Sequence, residues 1–91
     1  MNRFTKKQRH LIYVKALKYY NIGGWPFLCI CISKAIEDLY SELILSANVH
    51  IFLPEFARHK PEGKSGYGRW WNINNSKTRI DVMNQIIEET K

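Results

Sequence analysis

Cysteine is scarce in this 91-residue chain, and the two that are present exclude most cysteine chemistry. Cys29 and Cys31 are separated by one residue, a spacing that fits neither a redox CxxC pair nor a zinc-finger site. Both lie in the apolar run 27–32, where a thiol behaves as a small hydrophobic side chain. Free, buried thiols favour a reducing compartment, so the sequence predicts a cytoplasmic location.

The chain also lacks a long hydrophobic run. Its longest apolar stretch, 25–32, is far shorter than the roughly 20 residues that cross a bilayer, and Lys34 and Glu37 follow it closely. The basic beginning of the chain is followed by only four apolar residues, 11–14, which are too few for the hydrophobic part of a signal peptide. We therefore expect no association with a membrane.

Motifs for catalysis and metal binding are missing as well. His50, Glu55 and His59 do not have the spacing of HExxH. Lys64 stands in a Gly-Lys-Ser tripeptide that resembles the end of a phosphate-binding loop, but the earlier glycine of that motif is absent. We expect no catalytic residue, no metal site and no cofactor, and a binding protein is favoured over an enzyme.

Acidic residues are absent from the first twenty positions. The net charge of +6 is therefore unevenly distributed: residues 1–20 carry +6, 21–55 carry −3, 56–79 carry +5 and 80–91 carry −2. Basic segments of this kind raise the local concentration of anionic partners. A solvated basic face that only keeps the protein soluble explains the composition equally well.

Apolar periodicity predicts an all-α fold, a small single-domain helical bundle over residues 1–91 with three main helices, a short helix and a Gly-rich loop. The main helices are expected at 6–20, 26–45 and 77–90, and the short helix at 54–59. Thr5 and Gln8 fit a capping box at the start of the first helix. A β-strand at 27–32 is the less favoured alternative to the second helix.

The same periodicity predicts the buried faces of the first two helices. In the first helix the apolar stripe consists of Leu11, Val14, Leu17 and Tyr20, with Tyr13 and Ala16 beside it. In the second helix it consists of Ile32, Ile36, Leu39 and Leu43.

The last predicted helix begins with cations, although acids are favoured at that end of a helix. A bound phosphate would reverse the penalty, and aromatic side chains in the preceding loop would stack on a base. The candidate ligand-binding residues are Lys64, Arg69, Trp70, Trp71, Ser76, Lys77 and Arg79. The alternative is that these cations are solvated or paired and that at least one of the two tryptophans belongs to the core.

The first helix offers a second basic surface. Arg3, Lys7, Lys15 and Lys18 lie close to one stripe, which can follow a nucleic-acid backbone or dock on an acidic protein. A solvated face is again the simpler explanation.

Six short motifs follow one another along the chain. They are Phe27-Leu28-Cys29-Ile30, Leu53-Pro54-Glu55-Phe56, Lys60-Pro61 with Gly63-Lys64, Trp70-Trp71-Asn72, Arg79-Ile80 and Ile86-Ile87-Glu88-Glu89. In this order they resemble small uncharacterised proteins encoded by tailed bacteriophages, over roughly residues 10–90. The resemblance implies a viral accessory protein in the cytoplasm of a bacterial host. Such proteins often counter host defence by sequestering a nucleotide signal or by blocking a defence protein.

Three hypotheses about function follow. The leading one is a non-enzymatic protein that binds an anionic ligand, a nucleotide or a nucleic-acid segment, at the basic aromatic loop and the start of the last helix. The second is an inhibitory module that docks on an acidic host protein through the basic first helix. The third is a structural homo-oligomer, because a small core with spare aromatic residues is often completed across a two-fold axis.

Overall fold

A computed structural model describes residues 4–23, 28–59 and 76–91 of the chain. Within these ranges the backbone forms α-helices and a single 3-10 turn and contains no β-strand, which confirms the all-α prediction. The helices are α1 (Lys6–Ile22), α2 (Leu28–Tyr40), α3 (Val49–Phe52), α4 (Pro54–His59) and α5 (Ser76–Glu89), and the 3-10 turn is Ser46–Asn48.

The predicted capping box begins α1. Thr5 Oγ1 accepts a hydrogen bond from the Gln8 amide at 3.1 Å, and Gln8 Oε1 accepts one from the Thr5 amide at 2.8 Å. The helix ends at Gly23, whose positive φ of 94° suits glycine, and whose amide donates to the Tyr20 carbonyl oxygen. The prediction of a helix over 6–20 is confirmed, and α1 continues two residues further.

The second helix is shorter than predicted. It ends at Tyr40 because Ser41 has a φ of 54°, in the left-handed region, while its amide closes the last turn on the Glu37 carbonyl oxygen. Residues 41–45 are therefore not helical, and the predicted extension to residue 45 was wrong. The alternative of a strand was also wrong, since residues 28–32 belong to α2.

The segment after α2 turns one apolar side chain back into the core. Ile44 is buried, and its carbonyl oxygen accepts a hydrogen bond from Ser33 Oγ of α2. The neighbouring Leu43 and Leu45 are 79% and 65% exposed. The predicted stripe of α2 is thus buried at Ile32 but not at Leu43.

Two short helices follow. The predicted short helix is confirmed as α4, which begins at Pro54, whereas the four-residue α3 was not predicted. The last helix, expected at 77–90, runs from Ser76 to Glu89, and its Met83 and Ile86 are fully buried. α5 packs against both α1 and α4.

The buried face of α1 differs from the predicted stripe. Ile12, Tyr13 and Ala16 are fully buried, whereas Leu11 is 45% exposed. The same face also buries the charged residue Arg9. A charged side chain in this position needs a partner inside the fold, and that partner comes from α4.

Candidate functional site

Of the predicted ligand site, the structure describes only the backbone at the start of α5. Lys64, Arg69, Trp70 and Trp71 lie outside the described residues, and so do the side chains of Ser76, Lys77 and Arg79. α5 does begin at Ser76, and its first turn contains no acidic residue. The helix therefore begins one residue before its predicted start at 77, and the ligand site itself stays a prediction.

The structure describes three of the four residues of the basic stripe that was predicted on the first helix, and two of them share one exposed face. Arg3 lies outside the described residues, while Lys7 and Lys18 are both exposed. They are eleven residues apart, which places them on one face of α1 about 16 Å apart along its axis. A ligand that contacts both residues must therefore be extended.

Lys15 has a different environment from Lys7 and Lys18. Its Nζ lies 5.6 Å from the centre of the Tyr19 ring, and the Tyr19 hydroxyl donates a hydrogen bond to Asp38 of α2. The hydrogen bond from Tyr19, together with hydrogen bonding and charge from Lys34 and the charge of Lys15, lowers the pKa of Asp38. Lys15 therefore belongs to a surface network that joins α1 to α2.

A buried ion pair between α1 and α4 was not predicted. Arg9 Nε lies 3.0 Å from Glu55 Oε1 and 3.3 Å from Oε2, and Arg9 Nη2 lies 3.1 Å from Oε2. Arg9 Nη1 donates to the Phe4 carbonyl oxygen at 2.7 Å. The two charged side chains are only 10% and 12% exposed. Arg9 therefore contributes nothing to the basic surface of α1, because its charge is neutralised inside the protein.

Tyr13 completes this cluster. Its hydroxyl donates to Glu55 Oε1 at 2.9 Å and accepts a hydrogen bond from the Phe56 amide at 3.3 Å. Burial, followed by the nearby Glu55 carboxylate, raises the pKa of Tyr13. Burial alone would raise the pKa of Glu55, but the hydrogen bonds from Arg9 and Tyr13 and the charge of Arg9 outweigh it and lower that pKa.

The geometry of the cluster is that of a structural link rather than of a catalytic site. Both carboxylate oxygens of Glu55 are occupied by donors from α1, so none is directed to a substrate. The sequence contains one indication of this cluster. Arg9 and Tyr13 are four residues apart, which places them on the same face of α1 as Ala16. The position of Glu55, 46 residues away from Arg9, has no such signal.

A surface depression lies where the start of α1 meets the end of α5, and we call it the α1–α5 depression. It is an open depression of about 550 Å³ lined by Lys6, Lys7, His10, Thr90 and Lys91. Three of these five residues are lysines, and none is acidic. Among them only Lys7 was predicted as a docking residue.

Hydrogen bonds from His10 hold the two sides of the depression together. His10 Nδ1 lies 3.1 Å from the Ile87 carbonyl oxygen and 3.1 Å from Thr90 Oγ1. Since a carbonyl oxygen only accepts, Nδ1 carries the hydrogen. Thr90 Oγ1 in turn lies 3.1 Å from the carbonyl oxygens of Ile86 and Ile87. These hydrogen bonds therefore join α1 to the end of α5 at the depression, whose lining residues come from both segments.

The described residues contain no group of three or more His, Cys, Asp or Glu side chains that could hold a metal ion. In the same ranges no helix is both long enough and apolar enough to span a bilayer. Cys29 and Cys31 are both buried, as predicted, and no disulfide bond joins them. Burial, with a smaller effect of Cys29, raises the pKa of Cys31 to about 11, so this thiol is not an activated nucleophile at neutral pH.

Comparison with protein-family models, with curated proteins and with solved structures finds no match to this chain. The resemblance to phage proteins therefore remains a prediction. What the fold and its surface define is a class: a small all-α protein with lysine-rich surfaces and a buried Arg–Glu–Tyr link.

Proposed function

We propose that this chain is a non-enzymatic protein that binds an anionic, phosphate-bearing ligand, a nucleotide or a nucleic-acid segment. The observation that carries the proposal is the surface of α1. Lys6, Lys7 and Lys18 are exposed, and none of them forms an ion pair with another residue in the described ranges. Other cations are paired: Arg9 binds Glu55, and Lys34 lies within 3.5 Å of two acids.

This contrast matters because unpaired cations that are concentrated on one helix produce a positive field that paired cations do not. The predicted loop site would add Lys64, Arg69, Lys77 and Arg79 to that field, with Trp70 or Trp71 stacking on a base. In a phage-infected bacterium, such a protein would sequester a nucleotide signal or cover a nucleic-acid segment and so counter host defence.

The test is a titration that follows intrinsic tryptophan fluorescence at two salt concentrations. The ligands are mononucleotides, cyclic oligonucleotides and short single strands. We expect saturable binding by at least one of them, and loss of that binding in Arg79→Ala and Trp70→Ala variants that keep their helical circular dichroism. Unchanged binding in both variants would exclude the loop site, and no binding by any ligand would exclude the proposed function.

A protein partner is the second candidate, and one observation favours it. Leu11 and Ile22 are 45% and 78% exposed and lie on the same face of α1 as Lys7 and Lys18. Exposed apolar side chains that are rimmed by polar residues are typical of protein interfaces. Charge reversal at Lys7, Lys15 and Lys18 should then abolish complex formation with an acidic host protein, while Arg79→Ala should have no effect.

Self-association is the third candidate. Leu43, Leu45 and Ile51, which lie within nine residues of one another in the chain, are 79%, 65% and 58% exposed. A homo-oligomer would cover them. A monomer mass in solution scattering at high protein concentration would count against it.

A further inference from the structure

We infer that the chain associates with a second copy of itself, and that α1 of each copy packs against the end of α2 and the segment after it in the other copy. The inference goes beyond anion binding and assigns two defined surfaces to the self-association considered above. It follows from where the exposed apolar side chains lie and from the opposite charges beside them.

The exposed apolar side chains are confined to two surfaces within the described ranges. Single exposed leucines are ordinary in proteins, so their distribution is more informative than their number. Six large apolar side chains are more than a third exposed: Leu11, Ile22, Leu39, Leu43, Leu45 and Ile51. Two of them lie on α1 and four lie between residues 39 and 51, while none of the described side chains of α4 and α5 belongs to this group.

The first surface, which we call the α1 surface, consists of Lys7, Leu11, Lys18 and Ile22. Steps of four and seven residues bring these side chains within about 60° of one another around the helix and spread them over about 22 Å of its length. All four are exposed, and α1 contains no acidic residue. The α1 surface is therefore a basic face on which lysines alternate with apolar side chains.

The second surface, which we call the 39–51 surface, consists of Leu39, Leu43, Leu45 and Ile51. Leu39 lies in the last turn of α2 and Ile51 in α3. Leu43 and Leu45 lie in the non-helical segment between these helices, and both face outward because Ile44 between them is buried. The 39–51 surface is therefore a second exposed apolar region, formed by consecutive parts of the chain.

The charge beside the 39–51 surface is negative. Residues 37–51 contain no lysine or arginine and three acids: Glu37, Asp38 and Glu42. Glu42 directly precedes Leu43, and the other two acids lie in the last turn of α2. Lys34 lies within 3.5 Å of both of those carboxylates, but a single cation compensates only one of them. The two surfaces are thus both partly apolar and opposite in charge.

Opposite charge determines which surfaces meet when two copies associate. Pairing the α1 surface with itself would bring Lys7 and Lys18 of both copies together, and pairing the 39–51 surface with itself would bring the acids together. Like charges that face each other across an interface are costly. Pairing the α1 surface with the 39–51 surface instead removes apolar side chains from water and brings opposite charges together. The chain carries both halves of this interface.

The two surfaces adjoin at one end of the molecule. Tyr40, the last residue of α2, donates a hydrogen bond to the Gln8 carbonyl oxygen at 3.5 Å, and its ring centre lies 5.5 Å from that of Phe4. The end of α2 therefore lies beside the start of α1. A two-fold axis between two adjoining surfaces places each of them on the other surface of the second copy, so both contacts form at once and the assembly closes as a dimer.

The experiment measures the mass of the full chain by sedimentation equilibrium, over a range of protein concentrations and at low and high salt. We expect the mass to rise from that of one copy to that of two and no further. The association should weaken at high salt, because salt screens the exposed charges beside the two surfaces. A mass of one copy up to the limit of solubility would overturn the inference but not anion binding, and a mass that rises beyond two copies would exclude the closed dimer.

Two apolar substitutions test both surfaces without disturbing the fold. Ile22→Gln and Leu43→Gln replace side chains that are already 78% and 79% exposed, so each variant should fold as the natural chain does. Each should weaken the association by about tenfold or more, because full burial of one such side chain strengthens binding by about that factor. Gln85→Ala, an exposed change on α5, is the control and should have no effect. If only one of the two glutamine variants weakens the association, a surface pairs with itself and the inference is wrong.

An exchange of charges tests the pairing directly. Lys7→Glu/Lys18→Glu makes the α1 surface acidic, and Glu37→Lys/Glu42→Lys makes the border of the 39–51 surface basic. Each variant alone should stay monomeric where the natural chain is dimeric, because like charges then face each other. An equimolar mixture should form a dimer with one copy of each variant. Their formal net charges are +2 and +10, each four units from the natural +6, so net charge cannot attract them to each other.

Lys6→Glu/Lys91→Glu is the matched control, because it also gives a net charge of +2 but changes exposed lysines outside both surfaces. It should dimerise as the natural chain does. Circular dichroism at 222 nm checks that every variant is folded. A mixture of the two charge variants that stays monomeric, or a control variant that fails to dimerise, would overturn the inference.

Discussion

Replacing Glu55 with glutamine tests whether the link between α1 and α4 holds the fold together. The substitution keeps the size of the side chain but removes its charge, so the buried guanidinium of Arg9 loses its counter-charge. One of the two positions that accept hydrogen bonds also becomes an amide donor that faces the donors of Arg9. The backbone near Glu55 should be undisturbed.

The magnitude follows from the geometry. Removing one partner of a buried ion pair costs about 3–5 kcal/mol. Here Arg9 and Glu55 keep 10% and 12% exposure, and Arg9 keeps its hydrogen bond to the Phe4 carbonyl oxygen. We therefore expect Glu55→Gln to lower the free energy of unfolding by about 2–4 kcal/mol. A chain of this length has a total stability of about 5–14 kcal/mol, so the loss is readily measured.

The assay is urea unfolding followed by circular dichroism at 222 nm. Glu37→Gln is the control, because Glu37 pairs with Lys34 in an exposed i, i+3 arrangement, which should contribute less than about 0.5 kcal/mol. Arg9→Met combined with Glu55→Gln should recover part of the stability, since no guanidinium is left without a counter-charge. Equal losses in Glu55→Gln and Glu37→Gln would refute the reasoning.

Two further predictions concern titratable groups. Because the fold lowers the pKa of Glu55, the ionised carboxylate stabilises the folded protein fully above its ordinary pKa of 4.5, and this stabilisation is lost as the pH falls through the lowered pKa. The free energy of unfolding should therefore decrease below about pH 4.5. The decrease should be less steep in Glu55→Gln, which has no carboxylate to protonate at this position. A pH profile of the same steepness in both proteins would contradict this. Because Cys29 and Cys31 are buried and the pKa of Cys31 is raised to about 11, neither thiol should react with Ellman's reagent at pH 8 until the protein opens. Labelling of both thiols in the folded protein within the mixing time would show that α2 is not buried as described.

Local signals predicted the helices well where a cap or a proline marks the boundary. Thr5 and Gln8 mark the start of α1, and Pro54 marks the start of α4. The end of α2 has no such mark. The apolar residues Leu39 and Leu43 continue the helical spacing, but Ser41 takes a left-handed conformation that few side chains favour, and Leu43 then points to solvent.

The site was less predictable, because its central contacts join residues far apart in sequence. A basic residue in a lysine-rich segment is normally expected at the surface, and nothing in the sequence around Arg9 marks it as the buried partner of Glu55. His10 was unremarkable in the sequence, since the groups it bonds are 77 and 80 residues away. Periodicity reports which face of a helix is apolar and contains no information about such partners.

The contact between the first and last helices also determines how the chain could be rearranged. His10 and Thr90 are 80 residues apart in sequence but in hydrogen-bond contact in space. A short linker between residue 91 and the segment before α1 would turn this long-range contact into a local one, and new ends could be opened between Glu42 and Leu43, where the chain is not helical and Leu43 is 79% exposed. Such a circular permutant should keep the helical bundle, because the cut crosses no helix and the linker joins two segments that are already in contact.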